Sequence, residues 1–296
     1  MGRRSVLILG GGDVAWRAVA QAPQRARWLV VLRDPAKAPS WRQLGARVVV
    51  ADLDRWRSLA RVFAAVDQVW VTAPPAPGSG PEPRTCHVQA ALRRRCQPAR
   101  QPRIVYLSTS GVYGDRGGAW VRESDPVAPQ TARGARRVAA ERLWRAWVRR
   151  GGWAVRLRVP GIYAADRLPL ERLRRGVPAI IAEADSISNH IHADDLARLL
   201  WWAGWRGRNG RVYHACDDSP VAMGTWFDAI ADAAGLPRPP RLPRETVLAA
   251  VGPMIASFLR ESRRLANNRL RQELRFALRY PNAVAAVAVF LGNKES

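Results

Sequence analysis

Ser5-Val-Leu-Ile-Leu9 runs directly into Gly10-Gly11-Gly12-Asp13-Val14-Ala15, and those eleven residues decide the fold. A short apolar run that stops at glycine reads as a buried strand, and Val14–Gln21 after it reads as a helix. A G-x-G-x-x-A spacing between strand and helix is the context in which a glycine turn binds a dinucleotide. Gly10 permits the tight turn, and Gly12 withdraws a Cβ so that a pyrophosphate can approach the main chain. Ala15 is small enough for close helix–sheet packing. The helix then begins at Asp13 and Val14, where free amides and the helix dipole favour phosphate.

Outward from this turn, short β-branched runs alternate with helical stretches. The strands expected are Trp28–Leu32, Arg47–Val50, Gln68–Thr72, Arg103–Leu107 and Ala154–Leu157, after the first at Ser5–Leu9. Helices are expected at Arg55–Ala64, Pro83–Arg95 and Thr131–Arg150. This is the pattern of βαβ units in an α/β fold, a Rossmann-type doubly wound parallel sheet. Beyond about residue 160 the texture changes to longer helical segments, broken by a proline-rich connector, Gly235–Pro243. The expected division is a dinucleotide-binding domain over 1–160 and a smaller, mainly helical C-terminal substrate lobe over 161–296.

The second strand ends Leu32-Arg33-Asp34-Pro35. Asp34 stands where an acid would hold an adenosine ribose, and Arg33 stands where a guanidinium would pair with a 2′-phosphate. An unmodified ribose offers that arginine no anion, so NADP(H) is expected ahead of NAD(H). Asp52 and Leu53, after the third strand, are placed to contact the adenine.

Charge is the most unusual feature of the composition. The 48 basic residues exceed the 24 acidic ones by 24, and only Lys37 and Lys294 are lysine. The arginines are dispersed among apolar residues from Arg3 to Arg279 rather than clustered. That spread argues against a nucleic-acid groove. The longest strongly apolar run, Ala283–Leu291, is about half the ~20 residues that a membrane-spanning helix needs. It reads as packing against the second lobe or across a homodimer. Cys86, Cys96 and Cys216 form no C-x-x-C pair and no histidine cluster surrounds them, so no metal site is expected and a reduced cytoplasm fits best.

After the fifth strand comes Leu107-Ser-Thr-Ser-Gly-Val-Tyr-Gly-Asp115, and later Arg158-Val-Pro-Gly-Ile-Tyr163, Ile191-His-Ala-Asp-Asp195, Asn268-Arg-Leu-Arg271 and Arg279-Tyr-Pro281. With the glycine turn, these in order resemble the extended and atypical short-chain dehydrogenase/reductases of the NAD-dependent epimerase/dehydratase type, including bacterial NAD(P)-dependent oxidoreductases. The resemblance implies a hydroxyl residue after the fifth strand, taken here by Thr109, and a Tyr-x-x-x-Lys pair on the next helix. It also places Ala73 and Pro160 beside the cofactor. The tyrosine and lysine positions hold Arg133 and Arg137 instead. Arginine cannot exchange a proton near neutrality, so the usual acid/base step is missing. Tyr113 and Tyr163 are the candidate substitutes, and Arg133 could instead steady an oxyanion or clamp an acidic substrate.

Several residues read as architecture. Arg133, Arg137, Glu141 and Arg145 recur at i, i+4, where Glu141 can pair with two of them. Asp194 and Asp195 are expected to cap a helix that begins beside them. Trp201, Trp202 and Trp205 read as core or interface, and Arg167 follows a loop, Ala164-Ala-Asp, that lacks the glycines of relatives. The function expected is an NADP(H)-binding oxidoreductase or nucleotide-sugar epimerase-like enzyme with a non-standard site, acting on a small anionic substrate. The alternative is a catalytically inactive NADP(H)-binding sensor or partner-binding protein.

Overall fold

The computed structural model describes residues 4–21, 24, 26–62, 66–76, 82–95 and 101–292. Seven parallel strands form the central sheet: β1 (Arg4–Leu9), β2 (Ala26–Leu32), β3 (Arg47–Val50), β4 (Gln68–Val71), β5 (Arg103–Thr109), β6 (Ala154–Val159) and β7 (Val212–His214). Their order across the sheet is β7-β6-β5-β4-β1-β2-β3, every pairing parallel. The chain leaves β1 in one direction to build β2 and β3 and returns to its other side with β4. That reversal opens a crevice at the carboxyl ends of β1 and β4, where open α/β sheets bind ligands.

Helices cover both faces, as the near-continuous apolar strands require. On one face, α1 (Asp13–Ala20) and α4 (Ala193–Arg206) pack against Val6, Ile8, Val30 and Trp70. On the other, α2 (Pro83–Arg95) and α3 (Ala132–Arg149) cover Leu7, Leu9, Val69 and Tyr106, with Trp144 and Trp147 filling the gap. Trp201 meets Trp28 at a tilt and Trp70 edge-on, and Trp202 donates to the Leu274 carbonyl at 2.7 Å, so both pack, half-buried, against the core.

The sheet does not stop at residue 160. Strand β7 and helix α4 both come from beyond it and complete the layers, because β6 would otherwise be an unpaired edge. The second half also builds a lobe of its own. There α5 (Met223–Ala233) and α6 (Ala283–Gly292) pack through Trp226, Phe227, Ile230, Ala283 and Val287. The terminal apolar run thus packs one face within the chain and leaves Val289 60% exposed on the other. Short two-stranded pieces join the lobe to the sheet's carboxyl edge, notably Gly161–Tyr163 beside His190–His192.

Three local expectations are corrected. The stretch Trp56–Arg61 is a 3₁₀ turn rather than part of a helix over Arg55–Ala64, whose last two residues lie outside the described ones. Ser58 bonds the Asp52 and Arg55 carbonyls at 2.7 and 2.6 Å, a local competitor of helical bonds. Helix α4 is capped by the His192 ring, whose Nδ1 accepts from the Asp194 amide at 3.2 Å. Asp195 is instead fully buried and accepts from the Arg279 and Tyr280 amides, both at 2.9 Å, tying down Arg279-Tyr-Pro281. Glu141 pairs with neither Arg137 nor Arg145. It lies eight residues past Arg133, about 80° beyond two full turns, and faces the sheet, where Arg158 of β6 holds it at 2.7 Å.

Candidate functional site

The glycine turn leaves β1 at the crevice. Gly10 has φ +113°, and a Cβ there would lie 2.6 Å from the Ala73 amide nitrogen, so only glycine serves. The approach is fixed by the Ala73 and Thr72 amides, which donate to the Leu9 carbonyl at 2.9 and 3.1 Å. Thr72 Oγ1 adds a 2.6 Å bond to the Gly10 carbonyl. Gly11 is less constrained, since its backbone φ is ordinary and its Cβ would meet a side-chain tip, Leu32 Cδ2 at 2.2 Å, which would have to move aside. Gly12 differs from both. It caps α1 with φ −86°, and no atom lies within 4 Å of where its Cβ would be. The fold leaves that space open beside the first amides of the helix, which is what a diphosphate needs.

The crevice is a cavity of ≈ 350 Å³ lined by Gly10, Gly12, Arg33, Asp34, Asp52 and Leu53, with Ala73 on its far wall. Sequence reading missed Lys37 and Arg84, which line it too. Asp34 is partly committed, accepting the Ala36 amide at 2.9 Å as the cap of the turn Pro35–Lys37. That turn presents Lys37 beside exposed Arg33. Arg84 is held by Asp54 through two 2.7 Å bonds.

Asp13 faces the loop after β6. Burial acts to raise its carboxyl, but bonds from Arg167 at 2.7 Å and Arg17 at 3.0 Å prevail and hold it below the usual carboxylate range. Arg17 also reaches Asp166 and Asp194, at 2.6 and 3.2 Å. The loop Ala164–Arg167 therefore reaches the glycine turn through side chains.

A second cavity of ≈ 330 Å³ lies at the carboxyl ends of β5 and β6. Thr109, Arg133, Pro160 and Arg167 line it together. Thr109 Oγ1 accepts the Gly111 amide at 3.2 Å, so its own hydrogen remains free to donate. Arg133 lies 4.2 Å over the Phe258 ring, and burial lowers its guanidinium somewhat. Arg137 is elsewhere: it donates to the Leu107 carbonyl and the Tyr106 hydroxyl and lines neither cavity. It steadies the end of β5.

Tyr113 is likewise absent from both linings. It is fully buried, 2.6 Å from His214 Nε2 and 2.5 Å from Arg158 Nη1, and burial pushes its hydroxyl up to about 12. His214 Nδ1 meets the Ala266 carbonyl at 2.7 Å, so Nε2 is the acceptor and Tyr113 donates to it. The same network carries Arg158 to Glu141 and Glu141 to Ser108 at 2.6 Å, bracing the strand end that bears Thr109. Burial opposes the Glu141 charge, but the Arg158 bonds hold its carboxyl below the ordinary range.

Tyr163, by contrast, does line the second cavity. It is buried, its hydroxyl has no partner, and burial raises it far above the ordinary tyrosine range. His190 is beside it, buried and neutral, pushed down to about 3 by burial with Nδ1 unpartnered. Nothing in the sequence marked His190, because its role depends on the pairing of His190–His192 with Gly161–Tyr163. Among the described residues no group of His, Cys, Asp and Glu could hold a metal ion, and no helix is long and apolar enough to cross a membrane. Cys216 is buried, and Cys96 lies outside the described residues.

A family model for the NAD dependent epimerase/dehydratase family matches residues 6–216, from β1 to just past β7. The chain belongs to that family. A solved protein of unknown function from Silicibacter pomeroyi is 31% identical over 99% of this chain and 100% of its own, with a TM-score of 0.83. A dTDP-glucose 4,6-dehydratase from Bacillus anthracis, in complex with NAD, is 15% identical over 99% and 97% of the two chains, with a TM-score of 0.76. A UDP-N-acetylglucosamine 4-epimerase from Bacillus cereus is 15% identical over 99% and 100%, with a TM-score of 0.70. None of the curated proteins matches in sequence. Family membership supports a nicotinamide nucleotide as cofactor, and the open space at Gly12 fits its diphosphate.

Proposed function

We propose that this family member is an NADP(H)-dependent oxidoreductase or epimerase-like enzyme for a small anionic substrate, working without the usual tyrosine. The carrying observation is the open, main-chain-lined space at Gly12, on the same sheet edge as a cavity that holds Thr109 and Arg133. Gly10, Gly12, Asp13, Val14 and Ala15 would hold the diphosphate turn, Asp52, Leu53 and Ala73 the adenosine side, and Pro160 the nicotinamide side. Arg33 and Lys37 at one end of the cavity favour a 2′-phosphate, with Asp34 left to cap its turn. A bound nicotinamide supplies or accepts hydride.

The chain's own residues handle the substrate oxygen. Thr109 donates a hydrogen bond that orients it. Arg133 provides a fixed positive charge against which negative charge can develop, and this requires no proton to move. The proton lost with the tyrosine then comes from water in the cavity. Arg137 does not share in this chemistry, since the Leu107 carbonyl occupies it. The same observation favours the second reading, a cofactor-binding sensor without turnover, because neither half of the pair remains as an acid or base. Oxidation of NADPH by the purified protein across a panel of ketones, aldehydes and nucleotide sugars tests the two. Turnover that Thr109→Ala lowers supports the enzyme, and NADPH binding without turnover of any panel member supports the sensor.

A further inference from the structure

The second cavity has a wall unlike one built for a nucleotide. Tyr163, Met223, Trp226, Phe227, Ile255 and Phe258 are among the residues that line it. Among the polar groups beside them, the Tyr163 hydroxyl and His190 Nδ1 are buried without partners, and others are already occupied. Asn189 donates to the Arg263 carbonyl at 2.9 Å and accepts the Leu265 amide at 2.8 Å, which uses both ends of its amide. Ser188 Oγ faces His190 Nε2 at 3.3 Å. An apolar body would find aromatic faces here.

Charge on the same wall is unbalanced. Arg133, Arg167, Arg172 and Arg263 line the cavity, and Glu261 is the one acid among the lining residues. Asp13 holds Arg167 at 2.7 Å, and Glu261 holds Arg263 at 2.8 Å with its other oxygen unpartnered. Arg133 and Arg172 are left without a carboxylate. Arg172 is the more telling. Its guanidinium lies 4.5 Å over the Phe227 ring, and Nη2 donates to the Pro178 carbonyl at 2.6 Å. Nε and Nη1 are buried with no hydrogen-bond partner at all. Burial lowers its pKa with no acid nearby to oppose the shift. A half-buried cation with spare donors destabilises the chain that carries it unless an anion arrives from outside.

The apolar wall also continues into solvent. The helix Pro253–Leu259 buries Ala256 and Leu259 but exposes Met254, Ile255 and Phe258, by 69%, 42% and 47%. Ile255 and Phe258 belong to the cavity lining, so the exposed surface is the cavity's own rim.

We infer that the cavity takes a hydrophobic anion, an aliphatic or aromatic carboxylate whose charged end meets Arg172 and whose apolar body lies along Trp226 and Phe227 toward the Ile255–Phe258 rim. This rests on the reading of the second cavity as the substrate site, and it departs from the sugar nucleotides that the solved relatives' names carry.

Calorimetric titration with octanoate, 3-phenylpropanoate, octan-1-ol and UDP-glucose, with and without saturating NADPH, tests it. Both carboxylates should bind about tenfold or more tightly than UDP-glucose, and octanoate about tenfold more tightly than octan-1-ol. Arg172→Met should weaken octanoate about tenfold, leave NADPH affinity unchanged and raise the melting temperature, because it removes an unpaired charge. A merely structural arginine would lower the melting temperature instead. Arg172→Lys should retain octanoate binding within a few-fold. UDP-glucose binding as tightly as octanoate, no carboxylate binding in either condition, or octanoate indifferent to Arg172→Met would each overturn the inference. Absence of NADPH binding would overturn the cofactor reading alone, since the carboxylate titrations are also read without it.

Discussion

Gly10 and Gly12 are two residues apart, and the structure predicts opposite consequences for adding one methyl group to each. Gly10→Ala forces an alanine to φ +113° and drives its Cβ to 2.6 Å from the Ala73 nitrogen. Left-handed strain costs ~1–2 kcal/mol, and moving the backbone apart endangers the Leu9 and Gly10 carbonyl bonds at about 1 kcal/mol each, so the loss is on the order of 3–4 kcal/mol. Gly12→Ala meets ordinary φ and empty space. Its fold cost is the poorer helix cap, about 0.5–1 kcal/mol. Its cofactor cost is larger, since the methyl fills the place where the diphosphate meets the α1 amides; a loss of about tenfold in NADPH affinity, or ~1.4 kcal/mol, is the least expected. Urea melts followed by circular dichroism give the stabilities, and NADPH fluorescence titration gives the affinities. A Gly12→Ala protein that binds NADPH like the wild type would refute the phosphate assignment. A Gly10→Ala protein as stable as the wild type would refute the packing argument.

If turnover is found, Arg133→Gln should lower kcat by about 10²-fold, the scale of losing one stabiliser of a developing oxyanion, and Thr109→Ala should lower it as well; steady-state NADPH oxidation reads both. Tyr113→Phe should cost about 1–3 kcal/mol in a denaturant melt, because Arg158 and His214 lose a buried partner, while kcat per folded molecule stays within about twofold if Tyr113 is absent from the chemistry. Asp217 is buried with one oxygen unpartnered, and burial lifts its carboxyl from 3.8 to about 8. The folded state thus favours its protonated form. That contribution is present in full below the unfolded pKa and is lost as pH rises toward the folded one. Thermal melts should show the wild type losing stability relative to Asp217→Asn between pH 4 and 8, and parallel curves would contradict this.

Much of the sheet was legible because its signals are local. The strand Ser5–Leu9, its glycine turn and the helix after it follow from apolar runs and backbone freedom, and these persist as β1 and α1. Gly10, Gly12, Arg33, Asp34, Asp52 and Leu53, which line the first cavity, were legible for the same reason, since strand ends in a parallel sheet converge on one edge, whereas Lys37 and Arg84 were not. What escaped depends on partners distant in sequence. Glu141 was read by its neighbours on the helix, but its partner Arg158 comes from β6. Strand β7 has three residues and no periodicity of its own, and pairing with β6 makes it a strand. Arg172 looks like any other arginine in the sequence; what sets it apart is the lack of an acid near a half-buried guanidinium. Tyr113 and Tyr163 looked equivalent in sequence, yet one is locked beneath β5 and the other lines the cavity.

The most direct test of the account is calorimetric titration of the purified chain, freed of bound nucleotide, with NADPH and with NADH. The account predicts that both bind, NADPH about tenfold more tightly, with Arg33→Ala abolishing the difference by weakening NADPH alone. Heat from neither nucleotide at millimolar concentration would contradict it.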